Sequence, residues 1–85
     1  MLAGNDAMAL GAIAALRGQG CDIPDDIAVC GFDDIPFAVL STPTLTTSTH
    51  PVDRIATTAA TAVLDGGWAS PATYYPSQLI CREST

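Results

Sequence analysis

Two pairs of polar residues, each at the end of an apolar segment, are the candidates in this sequence for binding a ligand. Asn5-Asp6 follows a short apolar segment at the start, and Asp33-Asp34 follows the apolar run Ile27–Phe32. An asparagine amide both donates and accepts hydrogen bonds, and an ionised aspartate accepts them from neighbouring hydroxyls. An amide and a carboxylate brought together would therefore suit a polyhydroxylated or nitrogen-rich small molecule.

Each pair also has a purely structural interpretation. Asn and Asp are preferred at helix N-termini, so Asn5-Asp6 would serve equally to start the helix that follows, and capping is the favoured role of Asp6. Asp33-Asp34 would serve to form the turn before Pro36. One of two adjacent aspartates is enough for a turn, so both interpretations stay open for Asp33.

No combination of residues predicts an enzyme. Paired carboxylates can act in acid–base catalysis, but no nucleophile accompanies them, and the single histidine, His50, precedes a proline in a predicted loop. The three cysteines lack the close spacing of a metal or redox motif and are interpreted as buried thiols in a reducing compartment. The sequence predicts no catalytic residue, no metal and no cofactor.

The charge balance argues against direct contact with nucleic acids or membranes. The 85 residues include three arginines, no lysine and nine acidic residues, for a formal net charge of −6. So few cations cannot neutralise a row of phosphates or hold an anionic membrane surface. The longest apolar stretch, Ala7–Leu16, is half as long as a membrane-spanning helix.

Apolar segments and turn residues alternate in a way that predicts an α/β fold. Ala7–Arg17 is a predicted helix that ends at Gly18 or Gly20. It has no polar face before Arg17, so it must be covered on more than one side. Ile27–Phe32 is apolar on both faces, which is typical of a parallel strand covered by helices.

The second half of the chain repeats this alternation. Val52–Leu64 is a predicted amphipathic helix that Pro51 begins and Asp65-Gly66-Gly67 ends. The other predicted elements are a helical turn around Phe37–Leu40, a strand over Leu45–Thr49, a loop over Trp68–Thr73 and a late strand within Tyr74–Arg82. These elements supply only part of a covered sheet, so the chain is expected to be a portion of a larger fold.

The connection between the first two strands decides where the polar pairs lie. A right-handed crossover through the first helix makes these strands parallel, so Asn5-Asp6 and Asp33-Asp34 would emerge at the same edge. Ligands of open α/β sheets bind in the crevice beyond the carboxyl ends of the strands. The sequence therefore predicts a small-molecule site at this edge.

Three segments carry a family resemblance: LAGNDAMALGAIAALRGQGCDIPDDIAVCGFDD, PTLTTSTHP and LICREST. In this order and spacing, they resemble the C-terminal part of the effector-binding domain of the LacI/GalR family of bacterial transcription regulators. The resemblance covers essentially the whole chain. It implies a partial parallel-sheet, three-layer fold of the kind found in periplasmic binding proteins, cut from a two-subdomain effector domain.

The resemblance also implies a division of the chain between two subdomains. Residues 1–44 would form a β-α-β unit and loop of the C-terminal subdomain, and residues 45–67 a strand and helix of the N-terminal subdomain. Residues 68–85 would form a loop and the closing strand of the C-terminal subdomain. Operator DNA would be bound only through a helix-turn-helix headpiece absent from this chain.

Site residues follow from the same resemblance. The implied effector-binding residues are Asn5, Asp33, His50 and Val52. The implied homodimer contacts are Ala9, Leu10, Ile13, Phe37, Val39 and Leu40. The effector would be a sugar or a nucleoside-like molecule, the protein cytoplasmic, and no membrane would be bound. The alternatives are a fragment of a periplasmic sugar-binding protein of an ABC-type uptake system, and a small α/β enzyme or interaction module.

Overall fold

The computed structural model describes residues 1–66 and 73–85. The described elements are the helix α1 (Asp6–Gly18), a 3-10 helix (Pro36–Val39), the strand β1 (Thr47–Ser48), the helix α2 (Val52–Leu64) and the strand β2 (Leu79–Ile80). The predicted helix Val52–Leu64 has the observed bounds, and the first helix extends one residue further at each end than predicted. Of the predicted loop Trp68–Thr73, only Thr73 lies within the described residues.

Helix α1 begins at an asparagine cap. Asn5 has an extended backbone, and its side-chain oxygen accepts a hydrogen bond from the backbone N–H of Met8 at 2.8 Å. Asp6 in the first turn and Arg17 in the last turn complement the helix dipole. The helix therefore starts at the polar pair where the sequence placed its beginning.

Three segments run parallel and bring the chain's polar pairs into register. Parallel bridges join Leu2 to Cys30, Cys30 to Thr46, and Asp33 to Thr49. Backbone hydrogen bonds of 2.9 Å, such as the one from the Gly31 N–H to the Thr46 carbonyl, connect these segments. The segment that ends in Asp33 thus lies between the other two.

The predicted strand Ile27–Phe32 was too long. Its backbone N–H groups donate to neighbouring segments only from Val29 onward, because the turn at 23–26 comes before it, and these bonds continue to Asp33, where left-handed backbone ends the extended course. The pairing of the last strand also differs from an all-parallel sheet. Strand β2 is antiparallel to β1, with Thr47 opposite Ile80.

The hydrophobic core lies where α1 and the 3-10 helix cover the parallel segments. Its buried members are Ala3, Ala9, Ile13, Val29, Ala38 and Leu45. Helix α2 has no buried residue, and the molecule measures 54 × 16 × 16 Å. The apolar stripe of α2, exemplified by Val52 and Val63, is therefore exposed in this chain. None of the described helices is long and apolar enough to cross a bilayer.

Gly31 allows α1 to approach the parallel segments. A Cβ atom added to Gly31 would overlap the Asp6 Oδ1 atom and would lie 3.1 Å from the Leu45 Cδ2 atom. Any larger residue here would displace Asp6 and with it the start of α1.

The C-terminal residues fasten the parallel segments together. Ser84 is fully buried, and its hydroxyl donates to the Val29 carbonyl at 2.6 Å and accepts from the Thr46 N–H at 2.8 Å. Its own N–H donates to the Thr44 carbonyl at 2.9 Å. Ser84 therefore joins the segment that contains Val29 to the segment that contains Thr44 and Thr46.

Candidate functional site

The structure brings both polar pairs to one edge of the parallel segments. The backbone N–H of Asp6 donates to the Phe32 carbonyl at 2.9 Å, so Asn5 lies beside the end of the middle segment. Asp33 is bridged to Thr49, and the His50 ring lies 5.6 Å from the Phe32 ring. Asn5, Asp33 and His50 therefore lie at the carboxyl ends of adjacent parallel segments.

The Asn5 side chain has a binding group left over after capping. Its oxygen accepts the hydrogen bond from Met8, and its amide nitrogen donates to nothing within residues 1–66 and 73–85. The side chain is half-buried at the strand ends. Capping and ligand binding are therefore compatible, with the amide NH₂ as the donor to a ligand.

The two adjacent aspartates have different roles. Asp34 forms an ion pair with Arg82, with 2.9 Å between Oδ1 and Nη2, and Arg82 also donates to the Leu45 carbonyl at 2.9 Å. The Asp33 carboxylate accepts no hydrogen bond from the described part of the chain and is half-buried. Asp34 is thus structural, and Asp33 is the carboxylate available to a ligand.

Both aspartates have left-handed backbone. Asp33 has a φ of 117° and Asp34 a φ of 57°, conformations that cost a non-glycine residue roughly 1–3 kcal/mol each. Aspartate tolerates the left-handed region better than most residues. Such strain persists where surrounding contacts impose it, and it is concentrated at binding sites.

Asp6 has a role that the sequence did not reveal. The prediction that it caps the helix was wrong for its side chain, because Asn5 occupies the cap position. Asp6 is fully buried, and its carboxylate accepts from the Thr47 hydroxyl at 2.6 Å and from the Ile35 N–H at 2.8 Å. No local signal points to this network, because Asp6 and Thr47 are 41 residues apart.

The other two residues implied for effector binding begin the connection to α2. His50 is exposed, and its carbonyl accepts a hydrogen bond from the Val52 N–H at 2.8 Å. Val52 is the exposed first residue of α2. Both follow Thr49, which pairs with Asp33. They lie near the same strand ends, but neither forms a hydrogen bond with Asn5 in the described part of the chain.

The residues implied for dimer contact fall into two groups. Ala9 and Ile13 are core residues with almost no exposed surface, so they have little to offer a partner chain. Leu10 is half-buried, whereas Phe37, Val39 and Leu40 are exposed. When a helix is apolar on every side, its sequence does not show which side packs against the rest of its own chain.

Phe37 and Leu40 of this set border an apolar groove of about 580 Å³, whereas Val39 does not line it. The groove lies between α1 and the 3-10 helix and is lined by Leu10, Ile13, Ala14, Arg17, Phe37, Leu40, Ser41 and Thr42. Neither Asn5 nor Asp33 lines it. Five of its eight lining residues are apolar, and the Arg17 guanidinium already donates to the Thr42 carbonyl, so the groove suits the packing of apolar side chains better than the binding of a polyhydroxylated ligand.

Residues 1–66 and 73–85 contain no group of three or more His, Cys, Asp or Glu side chains arranged to hold a metal ion. The ionisable groups at the strand ends are instead the carboxylates and the imidazole described above.

Glu83 provides a pH-dependent contact at the opposite end of the parallel segments. The Thr44 backbone N–H donates to its Oε1 at 3.1 Å and the Thr44 hydroxyl at 2.9 Å, and these bonds lower the pKa of Glu83 below its ordinary value of 4.5. Desolvation opposes the shift weakly.

We expect a carbon-detected NMR titration to show Glu83 ionising at a lower pH than an unstructured glutamate. The folded pKa is the lower one, so the contribution of this contact to stability is present above the unfolded pKa and is lost as the pH falls through the folded pKa. Thr44→Val removes the hydroxyl donor and should raise the pKa of Glu83. A wild-type pKa at or above 4.5 would contradict the contact.

A model of the periplasmic binding protein-like domain family matches residues 1–85, which is the whole chain. The chain belongs to this family. The match agrees with a fold of the periplasmic-binding-protein type for this chain.

Individual relatives are transcriptional regulators. The HTH-type transcriptional regulator MalR of Streptomyces coelicolor is 39% identical over 85 residues, covering 95% of this chain and 25% of MalR. A LacI family regulator from Arthrobacter sp. FB24, solved in complex with lactose, superposes with a TM-score of 0.83 at 40% identity, covering 99% of this chain and 33% of that one. The lac repressor dimer, solved with operator and the anti-inducer ONPF, has a TM-score of 0.85 at 30% identity, covering 100% of this chain and 31% of that one.

These relatives confirm the LacI/GalR resemblance and the periplasmic-binding-protein-like fold. They are named as regulators and not as enzymes, in agreement with the prediction from the sequence. The chain spans between a quarter and a third of the length of each of these three relatives.

Proposed function

We propose that this chain is the effector-binding and dimerisation portion of a LacI/GalR-type transcriptional regulator whose effector is a sugar or a nucleoside-like molecule. The observation that carries the proposal is that one edge holds an amide NH₂ group and a carboxylate that form no hydrogen bond within residues 1–66 and 73–85. The Asn5 amide supplies a donor, and Asp33 supplies an acceptor for up to two hydroxyls. His50 and Val52 would approach the ligand from the connection to α2.

The proposed division into two subdomains explains why the apolar stripe of α2 is exposed in this chain. In this proposal residues 1–44 and 68–85 belong to one subdomain of a three-layer fold. Of residues 45–67, which the resemblance assigns to the other subdomain, the segment Leu45–Thr49 packs and pairs with the first one, through Leu45 in its core and the bridges of Thr46 to Cys30 and of Thr49 to Asp33. Helix α2 would therefore be the part that crosses into the other subdomain. The apolar stripe of α2 would then be covered by that second subdomain. Its lack of any buried residue within this chain supports this assignment.

Regulation would follow from ligand-dependent closure of the two subdomains. A sugar held between Asp33 and the opposite lobe would favour one arrangement, and this preference would alter the spacing of two DNA headpieces. The ligand can shift the equilibrium only by its difference in affinity for the two arrangements. A regulator of this kind acts on DNA in the cytoplasm, and its headpiece lies outside these residues.

The function is tested by calorimetric titration of the complete gene product with lactose, glucose, ribose and adenosine. We expect saturable binding of at least one of them. Failure of all four to bind at millimolar concentration would contradict the assigned ligand class.

The dimer surface would be the rim of the apolar groove. Phe37 is 64% exposed and Leu40 is 72% exposed, which is unusual for large apolar side chains close to each other on a soluble monomer. Together with Leu10 and Val39 they would pack against the same surface of a second copy.

We expect Leu40→Asp to weaken dimerisation by about 100-fold, because it places an unpaired carboxylate in an apolar contact. Analytical ultracentrifugation of the complete gene product over a concentration series measures this. Leu64→Asp is the matched control, because Leu64 is 85% exposed but does not line the groove. Equal dimer affinity in both variants would contradict the assigned surface.

A further inference from the structure

The strained turn at Asp33-Asp34 is held by three consecutive backbone N–H groups. The Asp33 N–H donates to the Ser48 carbonyl at 2.9 Å, and the Asp34 N–H donates to the Thr47 hydroxyl oxygen at 3.3 Å. The Ile35 N–H donates to the Asp6 carboxylate at 2.8 Å. Two of these three acceptors are side-chain atoms, so the turn depends on residue identity and not only on strand pairing.

The Thr47 hydroxyl connects the two side-chain acceptors. It has a single proton, and the nearer acceptor is Asp6 Oδ1 at 2.6 Å, compared with 3.4 Å to the Ser48 carbonyl. Its lone pair then faces the Asp34 N–H. Thr47 is fully buried, so water does not compete for these bonds. The hydroxyl thus joins the start of α1 to the turn that carries Asp33.

We propose that Thr47 is a positioning residue: through Asp6 and the Asp34 backbone, its hydroxyl holds Asp33 in the left-handed conformation that sets its carboxylate at the strand ends. The inference rests on the proposed function, because it assigns Thr47 to the placement of the proposed ligand group. Thr47 itself does not touch the ligand.

The same network fixes the spacing of the two proposed ligand groups. Asp6 directly follows Asn5, and its carboxylate is bound to Thr47 on one oxygen and to the backbone beyond Asp34 on the other. Gly31 leaves the space that this carboxylate occupies. Asn5 and Asp33 are therefore held by the same hydrogen-bond network. Loss of the Thr47 hydroxyl would remove the bond to the Asp34 N–H and release the turn that carries Asp33.

Thr47→Val tests the proposal, because valine has the shape of threonine without the hydroxyl. In the complete gene product, we expect Asp34 to lose the strong NOE between its own amide and α protons that marks a positive φ. Affinity for whichever of lactose, glucose, ribose and adenosine binds the wild type should fall about tenfold, the size of one buried hydrogen bond. Thr47→Ser keeps the hydroxyl and should restore both properties.

Ser84→Ala is the control for a merely structural effect. Ser84 is also fully buried, and its hydroxyl makes two short hydrogen bonds, but it lies beside Val29, roughly 13 Å along the segment from Asp33 at about 3.3 Å per residue. Its loss should lower the melting temperature without changing the Asp34 NOE or the sugar affinity.

The outcomes separate this inference from the proposed function. If Thr47→Val keeps the Asp34 NOE and the sugar affinity of the wild type, the positioning role is overturned. If Ser84→Ala reduces affinity as strongly as Thr47→Val, the effect is one of stability, and the role is again overturned. If none of lactose, glucose, ribose and adenosine binds the wild type, the proposed function fails, and the NOE alone decides whether Thr47 holds the turn.

Discussion

Replacing Asp33 by glycine should reduce sugar affinity by about 100-fold while leaving the folded structure as stable as before. The carboxylate is the group expected to accept hydrogen bonds from sugar hydroxyls, and two lost charge-assisted bonds account for roughly 3 kcal/mol. Glycine adopts a φ of 117° without strain. The substitution therefore removes the ligand group without the backbone penalty that alanine would add.

Calorimetry on the complete gene product measures the affinity, with denaturant unfolding as the check on stability. Asp33→Asn should lose less affinity, because its amide oxygen still accepts one hydrogen bond. Asp25→Ala removes the same charge from an exposed turn and should bind as the wild type does. If the proposed function holds, the response to the sugar should disappear in Asp33→Gly while operator binding persists, since the proposed headpiece would be a separate unit. Unchanged affinity in Asp33→Gly would show that the carboxylate does not bind the ligand.

Removal of the Asp6 carboxylate should cause the largest loss of stability of any single substitution considered. Asp6→Ala leaves the buried Thr47 hydroxyl and the half-buried Ile35 N–H without their acceptor. Each orphaned buried group costs roughly 1–3 kcal/mol, so the free energy of unfolding should fall by about 3–5 kcal/mol. That is a large share of the stability of a typical domain.

Denaturant unfolding followed by circular dichroism tests this expectation. Asp25→Ala, which removes an exposed aspartate, should change the free energy of unfolding by less than about 0.5 kcal/mol. Asp6→Asn offers one acceptor oxygen but turns an NH₂ group toward the other donor, so it should fall between the wild type and Asp6→Ala. A loss below about 1 kcal/mol in Asp6→Ala would contradict the network.

The helices and their order were predictable because their signals are local. Asn5, Asp6 and Arg17 mark the ends of α1 by their cap and dipole chemistry, and proline before Val52 marks the start of α2. The parallel course of the first segments followed from chain handedness alone. These features depend on neighbours in sequence or on general rules.

The unpredicted features depend on contacts between distant residues. The left-handed aspartates are imposed by Asp6 and Thr47, and the antiparallel β2 follows from pairing across the chain. For the same reason, the sequence did not separate the core residues Ala9 and Ile13 from the exposed residues of the predicted dimer contact, since an apolar helix looks alike on every side. The binding roles of Asn5, Asp33, His50 and Val52 stay predictions.

A crystal structure of the complete gene product with its bound sugar tests the account most directly. We expect sugar hydroxyls within about 3 Å of the Asp33 carboxylate and of the Asn5 amide nitrogen, with the Asn5 oxygen still capping α1. A sugar bound in the groove beside Leu40, or anywhere out of reach of both Asn5 and Asp33, would contradict it.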